Sequence, residues 1–567
     1  MFSSTRSLFV KYKMVNYYES ILLHCVSMLL HNLVLRPHRF AAGAGWPPKT
    51  VFVHELQKTT HFAVIQPANA FRRAKSALPI LCFSIVALLP FYIQAQEATP
   101  KKRPSADITV GSVVSSGGQT PFWLRARQYG TMPMATGTPP LLRFEASLHA
   151  GYSADSILKR NKKKWDWSYG LAAVANVGAA SRVILPEYYV KLKYRSFEGY
   201  VGRQREVVGL VDTALTMGAY SWSGNALPMP KVQLGFIDYT PLKFTKGLVA
   251  FKGWFAHGIF DDTFWVQHAL LHQKQLYLRV GKPNWRVKLY GGINHQVMWG
   301  GRSAFYTNNG KPPGDLRAYF YVVTGLRLTG EVDNPLLTNF DATNRIGNHL
   351  GTVDVGATID FDHSTLFGYR QSIFEDGSLF YLTSIIDGLN GVSWQNKRQN
   401  YKLVYLKKIT AEYLYTKSQG GSVFGGTNLL RGKDNYFNHG QFKNGWSYMG
   451  RGIGTPFITP NTDTQDRYPF NGFEFTNNNR VAVFHLAAEA IVNRDINVTI
   501  RGSWSNNLGN YDVPFPNQPQ QFSGLFTCQV PTKWLGGSLL STSLAVDNGQ
   551  LYQNSAALWL SLKKVWK

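Results

Sequence analysis

The chain ends in ALWLSLKKVWK, residues 557–567, where apolar side chains alternate with mixed ones. Leu558, Leu560 and Leu562 fall on one side of an extended chain, and Trp559 falls on the other. Successive side chains of a β-strand point to opposite faces, so this stretch predicts a strand with one apolar and one mixed-polar face. The same pattern recurs along most of the chain.

Further alternating segments follow one another from residue 142 onward. They are Leu142–Tyr152, Trp165–Ala173, Tyr188–Arg195, Leu276–Val280, Val287–Asn294, Val353–Phe361, Leu403–Tyr415, Val481–Ile491 and Asn497–Trp504. Clusters of Gly, Asn, Asp and Pro separate them, as turns require. A long series of such segments behind a secretion signal predicts an all-β protein, a transmembrane antiparallel β-barrel with an even number of strands, roughly 16 to 20.

The composition agrees with strands rather than helices as the membrane-spanning elements. The chain has 567 residues, of which 16% are charged and 14% are aromatic. No segment after residue 95 has the 18 or more uninterrupted apolar residues that a spanning helix needs. Because only helices and closed barrels satisfy every backbone group in lipid, we expect a barrel in the bacterial outer membrane.

The front of the chain carries a predicted secretory signal peptide, residues 71–95. Basic residues at 72–75 precede an apolar core, Ala77–Ile93, and Ala95 is a small residue suited to cleavage. A single membrane anchor is the alternative, which two prolines within the core oppose. Residues 1–70 lack a strand pattern, so we interpret them as a start site placed too far upstream or as an unusual N-terminal extension.

Two further parts complete the predicted organisation. Residues 96–128 are polar and punctuated by Gly and Pro, which predicts a periplasmic lead-in, and residues 129–567 form the predicted barrel. Cleavage after the signal would leave Cys528 as the one cysteine, so an intramolecular disulfide is excluded in the mature chain. The strand ladder must then hold the fold together.

The chain is strongly basic, with a formal net charge of +27. No run of five or six basic residues predicts a nucleic-acid arm. A secreted barrel meets lipid phosphates and acidic polysaccharide first, so we expect outer-membrane lipids and an acidic polysaccharide as partners, and no nucleic acid.

Two segments predict helices among the strands. Acidic residues at 261–262 and Thr263 precede Phe264–Lys274, which contains no Pro or Gly and so predicts a short capped helix. Gln204–Met217 is a weaker candidate. Helices inserted between barrel strands would be plug or rim elements able to close the pore.

No motif predicts catalysis, a metal or a cofactor. His268 and His272 have helical spacing, but Ala269 stands where a zinc hydrolase needs Glu. The sequence 450–454, GRGIG, lacks the strand-then-helix context of a phosphate loop and predicts a turn. Adjacent carboxylates at 375–376 would point to opposite faces of a strand, so we predict a protein that is not an enzyme.

Aromatic residues are abundant: 15 Trp, 29 Tyr and 35 Phe. Many should form the interfacial girdles of a barrel. Others lie in polar loops beside amides, where an aromatic face can stack on a sugar ring and amides can meet its hydroxyls. The predicted polysaccharide-binding residues, expected in exposed loops, are Trp222, Asn225, Asn435, Tyr436, Trp446 and Tyr448.

These loops also resemble the capsule-assembly Wzi family, in the form found in Bacteroidetes-type bacteria. The resemblance covers roughly Ala106–Lys567 as an ordered set of motifs. They are Ser223–Pro228, Gly347–Gly351, Tyr369–Gln371 through 375–376, Asp387–Gly388, Asp434–Tyr436, Gly445–Ser447 and Ile453–Pro456. It implies an outer-membrane barrel of eighteen strands, plugged by helices on the periplasmic side, that acts as a lectin and holds secreted capsular polysaccharide on the cell.

Two functions therefore remain open. The favoured hypothesis is a polysaccharide-binding protein of capsule assembly, whose extracellular loops grip a polymer through many weak contacts. The alternative is an outer-membrane porin for sugars, with an open, basic and aromatic lumen.

Overall fold

The computed structural model describes residues 104–137, 140–152, 164–303, 313–327, 341, 345–375, 379, 381–398, 403–423, 432–470 and 472–566. The predicted extension 1–70 and signal peptide 71–95 lie outside these residues. The elements in chain order are β1 (Ser105–Ser115), α1 (Phe122–Arg125), β2 (Leu141–Ala150), β3 (Trp165–Val177), β4 (Arg182–Tyr194), β5 (Phe197–Arg203), β6 (Lys231–Pro241), β7 (Val249–Ile259), β8 (Leu270–Val280), β9 (Val287–Trp299), α2 (Leu316–Thr324), β10 (Asn348–Asp360), β11 (Ser364–Glu375), β12 (Gly388–Asn396), β13 (Val404–Tyr415), β14 (Ser447–Tyr448), β15 (Arg451–Gly452), β16 (Val481–Val492), β17 (Ile496–Asn507), β18 (Gln520–Thr532), β19 (Ser538–Gly549) and β20 (Ser555–Trp566).

Eighteen of the strands form one closed antiparallel sheet, and β14 and β15 form a separate hairpin. Each barrel strand pairs with its neighbours in sequence, and β13 pairs with β16 across the long insertion. The sheet closes because β1 pairs with both β2 and β20: Val110 lies opposite Phe144 on one side and Leu562 on the other. The predicted barrel, with its even number of strands, is confirmed.

The two faces of the barrel follow the alternation predicted from the sequence. On β20, Leu558 and Leu560 are 43% and 47% exposed, whereas Ala557 and Ser561, which point to the other face, are buried. Exposed Val, Leu, Ile, Phe and Trp residues cover the outside of the other barrel strands in the same way. A closed barrel with an apolar exterior spans the outer membrane of a bacterium, which is where this protein resides.

The connections between strands differ in length at the two ends of the barrel. Both ends of the described sheet, Ser105 and Trp566, lie at the end where turns are short, for example 195–196, 361–363 and 493–495. Outer-membrane barrels have short periplasmic turns and longer extracellular loops. The longest connections, 204–230, 300–347 and 416–480, therefore lie at the extracellular end.

The barrel begins earlier than predicted. Strand β1 starts at Ser105, inside the segment 96–128 that the sequence assigned to a periplasmic lead-in, so that assignment and the boundary at residue 129 are wrong for the described residues. The outward row of β1 includes Ile108, Val110 and Val114 but is interrupted by Ser112. Small polar residues in a strand give a linker-like composition, which concealed the alternation.

The helix predicted at Phe264–Lys274 is also wrong. Its first half is an irregular loop, and its second half begins strand β8. Gln273 and Gln275 face the lumen, but His272 and Lys274 on the outer face are polar too. Polar residues on both faces removed the period-two signal.

Helix α2 lies on the outer wall of the barrel near the extracellular ends of β7–β10. Ala318 and Val322 pack with Val297. That valine is on the same side of β9 as Leu289 and Ile293, which are 53% and 43% exposed. Helix α2 therefore lies on the outer wall and does not plug the lumen. No helix in the described ranges is long and apolar enough to cross a membrane.

Four histidines line the outer wall beneath α2: His257, His272, His295 and His349. His295 Nε2 lies 3.0 Å from His349 Nδ1, and the Tyr319 hydroxyl of α2 lies 3.0 Å from His257 Nε2. Neither ring nitrogen of the fully buried His272 has a hydrogen-bond partner among the described residues. The helix thus covers polar side chains that would otherwise face lipid, where polar groups are destabilising.

Candidate functional site

The extracellular half of the lumen is filled by a plug built from the described parts of connections 116–140, 204–230 and 416–480. Its buried core is aromatic and includes Phe122, Tyr220, Phe437, Trp446 and Phe457. Segment 204–217, the second predicted helix, contains no helix and enters the lumen as irregular chain. The described plug is therefore mostly non-helical, with only the short helix α1 and a 3-10 turn at Asn461–Asp463, and it enters from the extracellular end.

Carboxylates of the barrel wall hold the plug by accepting hydrogen bonds from its backbone and hydroxyls. Glu412 on β13 accepts from Thr216 Oγ1 at 2.5 Å, from the Met217 backbone N–H, and from the Tyr369 hydroxyl at 2.6 Å. Asp354 on β10 accepts from Leu210 N at 2.9 Å. A segment without secondary structure leaves backbone donors unpaired, and these buried acids satisfy them.

Glu375 is a third such anchor. It accepts from the Tyr220 hydroxyl at 2.9 Å and from Phe437 N at 3.0 Å, so it links two plug segments to β11. Asp387, just before β12, accepts from Ser418 N, Gln419 N and the Tyr436 hydroxyl. Burial raises the pKa of Asp387, although these hydrogen bonds oppose the shift.

A buried ion triad, Arg125–Asp463–Arg451, ties helix α1 to the rest of the plug. Asp463 accepts from Arg125 in a short contact and from Arg451 Nη1 at 2.7 Å. Burial alone would raise the pKa of Asp463, but the two guanidinium groups hold it below its ordinary value. A buried carboxylate paired on both sides stays charged and directs the packing of three chain segments.

The six predicted binding residues lie mainly inside this plug. Trp222, Tyr436, Trp446 and Tyr448 are 5% exposed or less, so the expectation that they form exposed platforms is wrong. Trp222 and Trp446 pack edge to face at 6.2 Å, and Trp446 Nε1 donates to Ser221 O at 2.8 Å. Their burial makes them core residues of the plug, and polysaccharide binding by them stays a prediction.

The remaining polar members of the predicted set are also engaged within the protein. Asn225 Nδ2 donates to Gly452 O at 3.0 Å, and the Tyr448 hydroxyl accepts from Arg203 at 2.9 Å. Asn435, which is half-buried, donates to Glu474 Oε1 at 3.1 Å. Of the six residues, Asn435 has the most accessible side chain.

Exposed aromatic residues do occur at the extracellular end, at positions that the sequence did not single out. Phe264, Phe470 and Phe473 are 74%, 68% and 60% exposed. Trp265, half-buried, lies 5.0 Å from Phe264 and 5.5 Å from Phe473 between ring centroids. We call these three packed rings, together with the exposed Phe470 three residues before Phe473, the aromatic patch. Interpreting 264–274 as a helix hid two of its members.

Polar groups surround the aromatic patch. Glu474, next to Phe473, accepts from Asn435 at 3.1 Å and from Asn510 Nδ2 at 3.2 Å. Between the β7–β8 loop and the plug lies a crevice of about 20 Å³, lined by residues that include Asp261 and Asn444. Burial raises the pKa of Asp261. Aromatic rings beside amides and carboxylates can bind the apolar face and the hydroxyls of a sugar.

The other motifs considered in the sequence have ordinary structural places. Segment 450–454 begins in the turn of the β14–β15 hairpin and includes strand β15. His268 is exposed in the β7–β8 loop, 3.2 Å from Asp262. Its φ of 55° is not helical, and His272 lies in strand β8, so the two histidines do not share a helix face. Within the described ranges, no group of three His, Cys, Asp or Glu residues is arranged to hold a metal ion.

The barrel is similar to solved outer-membrane structures. Wzi of Escherichia coli, an outer-membrane protein involved in group 1 capsule assembly and a carbohydrate-binding β-barrel, shares 14% identity at a TM-score of 0.51, covering 81% of this chain and 84% of that chain. OccAB2 of Acinetobacter baumannii shares 11% at a TM-score of 0.40, covering 83% and 99%. OccD3 of Pseudomonas aeruginosa shares 7% at 0.38, covering 83% and 93%.

No protein-family model matches the chain, and no curated protein sequence matches it. The likeness to Wzi therefore concerns the fold. Both the predicted resemblance and the predicted number of eighteen strands are confirmed at that level.

Proposed function

We propose that this outer-membrane barrel binds capsular or exopolysaccharide at its extracellular end and retains it on the cell surface, without chemical change to the polymer. The observation that carries the proposal is the aromatic patch, exposed directly beside a lumen filled by the plug. Three of its four rings are exposed and Trp265 is half-buried, and aromatic faces of this kind can stack on the apolar face of a sugar ring.

Filling of the lumen favours binding over transport. The described plug is tied to the wall by Asp354, Glu375 and Glu412, all of them buried. Carboxylates engaged in this way hold the plug closed, and they are also unavailable as an acid–base pair for hydrolysis. A long polymer that contacts many copies of the protein needs only weak binding at each one.

The basic composition supports an acidic polymer as the partner. Residues 96–567, the predicted mature chain, hold 50 Lys and Arg against 31 Asp and Glu, and this formal net charge of +19 would increase the rate of encounter with polyanions. The contribution should weaken as salt increases. Stacking on the aromatic patch would supply the selectivity for sugar rings.

A gene deletion in an encapsulated host tests the proposed function. We expect total polysaccharide to be preserved but to move from the cell-bound fraction into the culture medium. Re-expression of the wild-type chain should restore retention. An unchanged distribution, together with reduced uptake of a sugar, would instead favour the porin alternative.

Point variants locate the binding surface. Loss of one stacking ring should cost about 0.5–1.5 kcal/mol, so Trp265→Ala and Phe473→Ala should each weaken binding by about two- to tenfold per site. Trp534→Ala is a matched control, because this tryptophan is 60% exposed but lies in the short β18–β19 turn at the periplasmic end. Equal retention by all three variants would contradict the assignment to the aromatic patch.

A planar-bilayer measurement separates binding from conduction. A barrel closed by its plug should give little steady conductance, whereas a porin gives stepwise channels. Frequent channels from the wild-type protein would refute the proposed role of the plug.

A further inference from the structure

The lower lumen, between the plug and the periplasmic mouth, is lined by lysines that are paired with carboxylates. The pairs are Lys191–Glu198 at 3.6 Å, Lys193–Asp238 at 3.6 Å, Lys288–Asp360 at 2.5 Å, Lys397–Asp360 at 2.6 Å, Lys407–Glu489 at 2.8 Å, Lys408–Asp212 at 2.8 Å and Lys563–Asp107 at 2.9 Å. Pairing of this kind neutralises the wall of a narrow space, where unpaired charges repel each other strongly.

Two neighbouring cations depart from that arrangement. Lys252 on β7 and Arg279 on β8 form no ion pair or side-chain hydrogen bond with any described residue, and Arg279 Nε is buried without a partner. Lys252 lies opposite Tyr277, and Arg279 lies opposite Ala250. This register makes the two cations diagonal neighbours on one face of the sheet, within about 8 Å of each other.

The face in question is the lumen face. Ala250 and Tyr277, which share it, are buried, whereas Phe255 and Leu278 on the opposite face are exposed to lipid. Arg279 is one residue from the periplasmic end of β8. The pair therefore lies close to the periplasmic mouth and is half-exposed there.

Two tyrosine rings complete the cluster. The ring of Tyr239 lies 5.7 Å from Arg279 Cζ, and Tyr239 and Tyr290 are 5.5 Å apart with their planes at 60°. Tyr290 is also the direct cross-strand neighbour of Arg279. Both rings are half-buried, and the Tyr290 hydroxyl lies 3.4 Å from Thr358 Oγ1.

Packing does not explain two adjacent unpaired cations. Asp238, the carboxylate whose charge acts on Lys252, is already paired with Lys193. Like charges at this separation repel each other, and an anion placed between them would relieve the repulsion. A guanidinium group binds a carboxylate through paired hydrogen bonds, and the tyrosines offer faces and hydroxyls to an attached sugar.

We propose that Lys252, Arg279, Tyr239 and Tyr290 form a second binding site, open to the periplasm, for a saccharide that carries a carboxylate. Lys252 and Arg279 bind the carboxylate, and the two tyrosines contact the sugar ring. This inference goes beyond the proposed function, because the site faces the end of the barrel opposite the aromatic patch and does not depend on it.

The test uses the purified full chain in lipid nanodiscs, with trigalacturonate as the acidic probe and maltotriose as the neutral one. Isothermal titration calorimetry at low salt should detect trigalacturonate and give at least about tenfold weaker binding for Lys252→Gln/Arg279→Gln. Lys288→Gln is the matched control, because this lysine also faces the lumen but is paired with Asp360. It should bind trigalacturonate as the wild type does.

Several outcomes separate this site from the aromatic patch. Binding of trigalacturonate that persists in Lys252→Gln/Arg279→Gln but is lost in Trp265→Ala would assign the probe to the extracellular end and overturn the inference. Equal binding by the double variant and the wild type would also overturn it. Heat-dependent migration on gels checks the fold, and if the double variant does not fold, Arg279→Gln alone should still weaken binding.

Discussion

Replacement of Glu412 by alanine should loosen the tip of the plug while leaving the barrel intact. Glu412 is 2% exposed and accepts from the Met217 N–H, the Thr216 hydroxyl and the Tyr369 hydroxyl. Two of these donors belong to the plug, and alanine leaves both of them buried and unpaired. The strand ladder around residue 412 is backbone pairing and does not change.

The magnitude follows from those two donors. A buried donor without a partner costs about 1–3 kcal/mol, so the docked tip should lose roughly 2–6 kcal/mol relative to an open state in which water satisfies the donors. At 1.4 kcal/mol per factor of ten, a mid-range loss of about 4 kcal/mol raises the local opening constant on the order of a thousandfold. Glu412→Gln keeps one acceptor oxygen and should give a smaller increase.

Hydrogen–deuterium exchange in lipid nanodiscs measures this opening directly. The amide of Met217 should exchange faster in Glu412→Ala by about the same factor, because exchange of a protected amide follows its local opening constant. Glu489→Ala is the control, since Glu489 faces the lower lumen and pairs with Lys407 rather than with the plug. The reasoning is refuted if peptides covering 212–217 exchange in Glu412→Ala within about twofold of the wild type while the barrel remains folded.

Three other substitutions probe the stability of the described structure. The two guanidinium groups hold the pKa of Asp463 below its ordinary value, so the charged carboxylate stabilises the fold above about pH 4. This stabilisation is lost as the pH falls through the pKa of Asp463 in the folded protein. The difference in melting temperature between the wild type and Asp463→Asn should therefore disappear in acid. Gly445→Ala should lower the free energy of unfolding by about 2 kcal/mol or more, and so lower the urea midpoint, because Gly445 has φ +59° and an added Cβ would lie 2.0 Å from Phe437 O. His272→Leu should raise the free energy of unfolding by about 1–2 kcal/mol, because it removes two buried nitrogens under α2 that have no hydrogen-bond partner among the described residues. The thermal midpoint should rise with it, and an equal or lower midpoint would contradict this account.

The barrel was predictable because its physical cause is local. Each strand between lipid and lumen must alternate, and the pattern of β20 is visible without knowledge of its partners. The first half of strand β8 lacks this alternation because α2, some forty residues later in the chain, covers His272 and Lys274 on the outer wall. A local pattern cannot report a side chain whose surroundings are supplied by a distant segment.

The exposure of the aromatic loops was not predictable for the same reason. Trp222 and Trp446 stand in polar stretches that have the composition of surface loops. Inside a barrel, however, the wall supplies the hydrogen bonds that water would supply outside, as Glu375 does for Phe437 N. Polar sequence around an aromatic residue therefore predicts hydrogen-bond partners nearby, but it does not predict that the aromatic residue is exposed to solvent.

The same principle indicates where binding can occur. A carboxylate such as Glu412, which already accepts three hydrogen bonds inside the protein, has little capacity left for a ligand. The two candidate sites lie at the two ends of the lumen: exposed rings such as Phe473 lie above the plug, and Arg279, which forms no ion pair with a described residue, lies below it. A polymer could reach the first without opening the plug, and a periplasmic saccharide could reach the second in the same way. If both sites bind sugars, the plug separates two sites that face different compartments, and neither requires a pore.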